Sequence, residues 1–399
     1  MSAGGAVRSV GAVTVGAMVA NIAAYLVAIP ASRVLGATDY GVFGVVMAAM
    51  VVVAAPSLAV QAVIAREVVR GRSGLVRLGV QTAVLVAVFS LVAGAVLVPL
   101  TRVPVAAAAA GMVMAPLITL TAAAQGFLQG RAEFRRLGWL LGLVGVLRSG
   151  PMIAALLLGA SATVALWVGA VGTLISTAFA WGLLKKSPSA PAEGNIPSAA
   201  HQGSFFSSRS DVWSVLGASQ VQLALLVAVS IDLLLARVVL SDADAGVYAL
   251  GAIATKAAFW LPQAIGTVVY PRLATPERRA QSLRIAVGVV SGIGGMTVVG
   301  TWLVSPLVPR IVGDEYRPLT GIFWLFALTG AILAVLGLLL LAVIAAQRTV
   351  VGIVVWVSVA VEAAVILLWA DSVTSLVVIA VSAAAVMTGI CLALARSAS

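Results

Sequence analysis

The stretch that decides the fold runs from Arg33 to Arg72 and reads RVLGATDYGVFGVVMAAMVVVAAPSLAVQAVIAREVVRGR. It begins with a short loop that contains Gly36, Asp39, Tyr40 and Gly41. A long apolar run follows, and a basic cluster ends the stretch. Apolar runs of eighteen or more residues predict membrane-spanning helices. The Arg33–Arg72 stretch therefore predicts a loop on one side of a membrane and a basic anchor on the other.

The composition of the whole chain agrees with a membrane location. Of the 399 residues, 62% are hydrophobic and only 9% are charged, and the mean hydropathy is +1.15. A soluble globule of this length needs far more polar surface. The net charge of +11 sits in short clusters between the apolar runs. This pattern is typical of membrane orientation signals and argues against a nucleic-acid partner.

Apolar runs repeat along the chain and predict an all-α polytopic membrane protein with about twelve transmembrane helices. The predicted spans are 10–31, 42–65, 79–100, 104–128, 137–159, 163–184, 214–240, 246–269, 285–307, 319–346, 350–370 and 373–395.

The distribution of Lys and Arg predicts the orientation. With the N-terminus in the cytoplasm, seventeen of these residues lie in cytoplasmic segments and five in outer loops. Because positive charge is enriched on the cytoplasmic side, we expect both termini to be cytoplasmic. Arg greatly outnumbers Lys, and Ala, Val and Gly dominate. We therefore expect a multi-pass protein of a bacterial cytoplasmic (inner) membrane.

The two halves of the chain carry related motifs. Asp39-Tyr40-Gly41 follows the first span, and Asp244-Ala245-Gly246 follows the seventh. Six spans separate the copies, so both enter the membrane from the same side and predict lobes related by a parallel pseudo-two-fold axis. We expect a six-helix lobe at 1–184, a flexible cytoplasmic linker at 185–211 and a second six-helix lobe at 212–399. Two such lobes are typical of membrane transporters, and we expect the substrate path to lie between them.

Arg237, at the outer end of the seventh span, is counted with the outer loops. Four other charged residues lie inside predicted spans, where each costs several kcal/mol unless it is paired or hydrated. Arg148 and Lys256, one from each half, would offer positive charge to an anionic substrate, with Gln263 and Asn21 as polar neighbours in the cavity. Asp232 and Glu362 could hold a coupling Na⁺ or H⁺. The alternatives are two internal ion pairs for the charged residues and interhelical hydrogen bonds for the polar ones.

Catalytic chemistry finds little support. One cysteine (Cys391) and one histidine (His201) make neither a common zinc site nor a Cys–His nucleophile. The outer loops are short, and no polar segment is long enough to fold as a catalytic domain. We expect no enzyme and no cofactor beyond the coupling ion.

Four segments resemble polysaccharide exporters of the Wzx type, in the multidrug/oligosaccharidyl-lipid/polysaccharide exporter (MOP) superfamily. The first is the opening hairpin with Leu35-Gly36 and Tyr40-Gly41. The others are QGFLQGRAEFRR (125–136), the stretch 231–274 with Asp232, Gly246 and Tyr248, and IVGDEYRPL (311–319). The resemblance implies flipping of an undecaprenyl-diphosphate-linked oligosaccharide to the outer leaflet, driven by an ion gradient or membrane potential. It also implies the lipid bilayer, glycosyltransferases and a glycan polymerase as partners.

Other interpretations stay open. A cation-coupled multidrug exporter of the same superfamily would have the same helices. A major-facilitator carrier also has twelve spans, but the segment Arg66–Gly74 (REVVRGRSG) lacks the Asp of that family's motif. A membrane glycosyltransferase would need clustered acids or a large outer loop. A scaffold without transport activity would not need the charges inside the spans.

Overall fold

The computed structural model describes residues 3–185, 220–262, 276–345 and 350–396. Within these ranges the chain is almost entirely helical and contains no strand. In chain order, the helices are α1 (Ala3–Leu26), α2 (Ala28–Val53), α3 (Pro56–Val69), α4 (Leu75–Thr101), α5 (Val105–Gly130), α6 (Phe134–Leu157), α7 (Ala162–Lys185), α8 (Gln220–Ala228), α9 (Ile231–Val239), α10 (Asp242–Trp260), α11 (Pro276–Val304), α12 (Val308–Val312), α13 (Phe323–Ala345), α14 (Val350–Trp369) and α15 (Val373–Arg396).

Length and hydropathy identify nine segments of the described chain that could cross a membrane, or ten if the bent pair α8–α9 is one span. One of them, Gly11–Val69, has 59 residues and would measure about 90 Å as a straight helix. A bilayer core is about 30 Å thick, so a run this long cannot be one crossing, and the non-helical backbone at Gly36 divides it into two. With α10, a helix of 19 residues, the helices account for the twelve predicted spans.

The turn between the first two crossings is one residue, Gly36 (φ 67°, ψ 174°). The loop predicted through Gly41 was therefore too long, because Asp39, Tyr40 and Gly41 are helical. Glycine tolerates a positive φ without the steric cost of a Cβ. A single glycine can therefore replace a longer loop here.

The crossings form two lobes. In the first, α6 packs on α1 and α7, while α5 packs on α3, α4 and α7. In the second, α13 packs on α10, α11 and α15, and α14 packs on α9 and α15. The predicted linker 185–211 lies outside the described residues except for Lys185, the last residue of α7. The limits predicted for the two lobes therefore stay predictions.

The lobes join at one end of the bundle, called here the closed end, which contains Gly36, Ser241 and the segment 305–322. The largest buried apolar cluster lies toward this end and takes side chains from both lobes, for example Val45 and Tyr248. The three other clusters among the described residues each belong to a single lobe. They lie toward the opposite end, called here the open end, which contains Arg70, Arg131 and Lys185. Among the described residues, the buried apolar packing between the lobes therefore lies toward the closed end.

The two motif glycines meet where the lobes join. A Cβ on Gly41 would lie 3.1 Å from the backbone N of Gly246, and a Cβ on Gly246 would overlap the Ala37 carbonyl. Small residues allow helix backbones to approach this closely. The glycines of the repeated sequence motif thus lie at the contact between α2 and α10.

Arg237 also links the lobes at the closed end. The sequence interpretation placed it in an outer loop, but its side chain is only 2% exposed. It donates hydrogen bonds to the carbonyls of Thr101 (2.9 Å) and Thr38 (3.2 Å) in the other lobe, and it pairs with Asp242 at 2.9 Å. Thr101 is the last residue of α4, so the arginine satisfies a carbonyl that the helix cannot.

Candidate functional site

The candidate site lies inside the second lobe and begins at a break in a membrane helix. Helices α8 and α9 meet at an angle of 43° around Val229 and Ser230, and Asp232 lies in the first turn of α9. A carboxylate at a helix N-terminus interacts favourably with the helix dipole. Broken membrane helices are also common at ion and substrate sites in transporters.

Asp232 is 4% exposed and has two hydrogen-bond donors. The Tyr248 hydroxyl donates to its Oδ2 at 2.6 Å, and the Leu233 backbone N–H donates to its Oδ1 at 2.7 Å. Tyr248 is fully buried and packs edge-on against Phe326, with ring centroids 5.0 Å apart. The tyrosine therefore fixes the orientation of the carboxylate.

Glu362 of α14 is the second buried acid of this group, at 5% exposed. It is close enough for its charge to interact with Asp232 and Tyr248. No hydrogen bond or ion pair to its carboxylate occurs within the described ranges. Asp232, Tyr248 and Glu362 each lie about 9–12 Å along their helices from the closed end. Two carboxylates in one buried layer repel each other, so they favour a shared proton or bound cation.

Lys256 is partly buried and lies on α10 eight residues after Tyr248, about 12 Å further toward the open end. Its charge interacts with that of Asp232, although no described carboxylate lies within ion-pair distance of its amine. Nor does any of the ion pairs in the described ranges contain Asp232, Glu362 or Arg148. The alternative of two internal ion pairs therefore finds no support in the described part of the chain.

The remaining predicted site residues lie elsewhere. Arg148 is on α6 in the first lobe, partly buried, and it is not among the charges that act on Asp232, Lys256 or Glu362. Asn21 is exposed on α1. Gln263 lies outside the described residues. The structure thus brings together three of the six predicted site residues, namely Asp232, Lys256 and Glu362.

Sequence reasoning overlooked the role of Tyr248. A tyrosine in an apolar span is ordinary, and the sequence does not show that α9 and α10 fold back on each other. The signal available was the break before Asp232, where Ser230 interrupts an apolar run.

Known proteins resemble this chain in structure rather than in sequence. No family model matches the chain, and no curated protein matches its sequence. Solved structures do match over nearly the full length. An outward-facing multidrug resistance MATE transporter of the MOP superfamily has a TM-score of 0.62 and 16% identity, covering 98% of this chain and 95% of its own. The eukaryotic MATE transporter AtDTX14 has a TM-score of 0.65 and 12% identity, with 98% and 96% covered.

A third solved structure is a MOP superfamily transporter from Pyrococcus furiosus, whose binding pocket is described as having reverse polarity. Its TM-score is 0.61 and its identity 13%, over 98% of this chain and 95% of its own. Identities this low establish a shared fold and do not separate the branches of the superfamily. The proteins that share this fold are transporters rather than enzymes. The chain therefore has the fold of MOP-superfamily transporters, with twelve helices in two lobes.

Proposed function

We propose that the protein is a cation-coupled exporter of amphipathic small molecules that works by alternating access. The observation that carries this proposal is the buried group of Asp232, Tyr248 and Glu362, called here the acid group. It lies inside one of two lobes whose shared apolar packing, among the described residues, is concentrated at the closed end. Multidrug resistance MATE transporters among its structural neighbours support the substrate class. The sequence interpretation favoured lipid-linked oligosaccharide, which becomes the second candidate.

Coupling follows from the electrostatics of the acid group. Asp232 and Glu362 are buried together, and the nearby charge of Lys256 can balance only one of the two negative charges. Burial of the other is costly. A proton or Na⁺ bound between them would remove part of that cost. Because Asp232 is attached to the break at α8–α9, a change in its charge can alter the packing of that broken helix. This gives cation binding a direct route to a lobe movement.

The second candidate is export of a lipid-linked oligosaccharide. Arg148 and Lys256, one in each lobe, favour it because guanidinium and ammonium groups both bind phosphate. In that case the partners would include an undecaprenyl-diphosphate lipid, glycosyltransferases and a glycan polymerase. Under either candidate, we propose that the protein lies in the bacterial cytoplasmic membrane, with both termini and the open end facing the cytoplasm.

Two cell assays distinguish the candidates. We expect expression in a bacterium that lacks its own multidrug exporters to lower the accumulation of a fluorescent cationic dye such as ethidium. We expect no restoration of surface polysaccharide in a strain that lacks its oligosaccharide flippase. The opposite pair of results would reject the drug-export proposal in favour of the second candidate. Arg148→Gln and Lys256→Gln would then abolish the restoration while the protein still inserts.

A further inference from the structure

The first lobe has a groove on its outer surface at the open end. This groove is separate from the contact between the lobes and from the acid group. It lies between α6 and α7 and has a volume of about 510 Å³. Its lining residues are Arg135, Arg136, Trp139, Leu143, Phe179 and Leu183. This volume falls within the range of small-molecule sites in proteins, about 300–1,000 Å³.

The lining changes from charged to apolar along the helices. Arg135 and Arg136 are in the first turn of α6, Trp139 is one turn further in, and Leu143 is one turn beyond that. On α7, Leu183 lies near the last residue, at about the depth of the two arginines, and Phe179 is one turn further in on the same face. A molecule lying along this groove would meet positive charge at the end of the bundle and hydrocarbon further in.

Within the described ranges, the charged end of the groove is only partly neutralised by acidic side chains. Arg136 pairs with Glu133 at 2.6 Å. Arg135 is exposed and has no ion pair in the described ranges, and neither does Lys185, exposed at the end of α7. Among the described residues, this end of the groove therefore has a net positive charge, and the Arg135 guanidinium has no ion pair there. A guanidinium is a good donor to phosphate oxygens.

Trp139 indicates the depth of the groove in the bilayer. Its side chain is 74% exposed and lies one turn from the basic residues. Exposed tryptophan next to arginine is typical of the headgroup region of a membrane. The arginines would then lie at the level of the lipid phosphates, and the apolar wall at the level of the upper acyl chains.

We propose that this groove binds an anionic glycerophospholipid, with the phosphate at Arg135 and Arg136 and the acyl chains along Leu143 and Phe179. Charge complementarity at the charged end of the groove and the apolar wall below it select this ligand over a neutral lipid or a soluble anion. A lipid held here would fix the first lobe to one leaflet at the point where the chain leaves it for the second lobe. The proposal does not depend on the transported substrate.

The test is lipid binding to the purified full-length protein in a neutral detergent, followed by native mass spectrometry and by thermal unfolding. We expect phosphatidylglycerol to be retained and to raise Tm, and phosphatidylcholine to do neither. The double variant Arg135→Gln/Arg136→Gln should bind phosphatidylglycerol about tenfold more weakly. Its Tm without added lipid should match the wild type, which shows that it folds.

The matched control removes two positive charges from the same end of the bundle outside the groove. Arg77→Gln/Arg131→Gln should keep phosphatidylglycerol binding within about twofold of the wild type. Equal loss in both double variants would reduce the effect to general surface charge and overturn the proposal. Equal stabilisation by phosphatidylcholine, or by inorganic phosphate at the same concentration, would also overturn it.

Discussion

The hydroxyl of Tyr248 has the most specific function that the structure gives to a single atom, because it orients the Asp232 carboxylate. We expect Tyr248→Phe to keep the ring contact with Phe326 and to lose the hydrogen bond. Hydrogen bonds to charged groups contribute about 1.5–3 kcal/mol. The cation concentration that half-saturates transport should therefore change about tenfold or more.

Tyr40→Phe is the matched control for this change. Tyr40 is also buried, at 3% exposed, and its hydroxyl makes no hydrogen bond in the described ranges. We expect its cation dependence to equal that of the wild type. Equal cation dependence in Tyr248→Phe and the wild type would show that the tyrosine hydroxyl does not contribute to cation coupling.

The residues of the site were only partly predictable from the sequence. Asp232, Lys256 and Glu362 stand out because a charge in an apolar span is costly and therefore informative. Tyr248 carries no such signal. Arg237 was assigned to a loop because it follows an apolar run, whereas its burial depends on carbonyls of Thr38 and Thr101, more than a hundred residues away in the chain.

At the scale of single helices, the part of α2 that follows the break at Gly36 begins with a contact to a residue of the other lobe. The Glu315 carboxylate accepts a hydrogen bond from the Ala37 N–H at 2.7 Å, and a side chain that caps a helix in this way contributes about 1 kcal/mol. We expect Glu315→Ala to lower the Tm of the protein. Asp314→Ala should leave Tm nearly unchanged, because Asp314 only pairs with Arg317 on the surface. Equal Tm values for the two variants would contradict the capping role.

The contact between α2 and α10 makes a second prediction at this scale. A Cβ at Gly246 would overlap the Ala37 carbonyl, so Gly246→Ala should force the helices apart. Overpacking of this kind costs about 1–3 kcal/mol. The control is Gly295→Ala on α11, where a Cβ would meet no atom within 4 Å. A clear fall in Tm for the first and none for the second is the expected result, and two equal Tm values would argue against the close approach.

The helices themselves were largely predictable, and their breaks were not. Hydropathy sets the spans because a membrane crossing needs about twenty apolar residues. It does not show that Gly36 alone suffices as a turn, or that α8 and α9 are separate segments. Both features depend on backbone angles and on neighbouring helices that a hydropathy profile does not contain.

At the scale of the whole molecule, one closed end and one open end predict a second state with the opposite arrangement. Cys391 is the single cysteine, so a Cys391→Ala background allows spin labels at chosen pairs of sites. We expect addition of cation or dye to change the distance between labels at Arg70 and Gln281, at the open end. The distance between labels at Ser161 and Asp371, at the closed end, should change in the opposite sense. Two distances that never change together would contradict alternating access.

The two-lobe architecture was predicted from the repeat, since six spans between equivalent motifs require parallel lobes. The shared fold with MOP-superfamily transporters confirms it. The choice between drug and glycan as substrate did not follow from the sequence, because the motifs that carried the resemblance, Gly36, Gly41 and Gly246 among them, build turns and lobe contacts. They describe how the lobes are joined rather than what passes between them.

The central claim is that Asp232 and Glu362 couple a cation gradient to transport. Asp371→Asn is the control, because this fully exposed acid lies between α14 and α15, away from the acid group. Hydrogen bonds from Ser375 and Ser372 lower its pKa, so it is charged throughout the assay.

The measurement is dye transport by purified protein in liposomes after an imposed Na⁺ or H⁺ gradient. We predict gradient-driven transport in the wild type and in Asp371→Asn, and a loss of at least about tenfold in both Asp232→Asn and Glu362→Gln. Full gradient-driven transport in Asp232→Asn and Glu362→Gln, or wild-type transport that ignores both gradients, would contradict the claim.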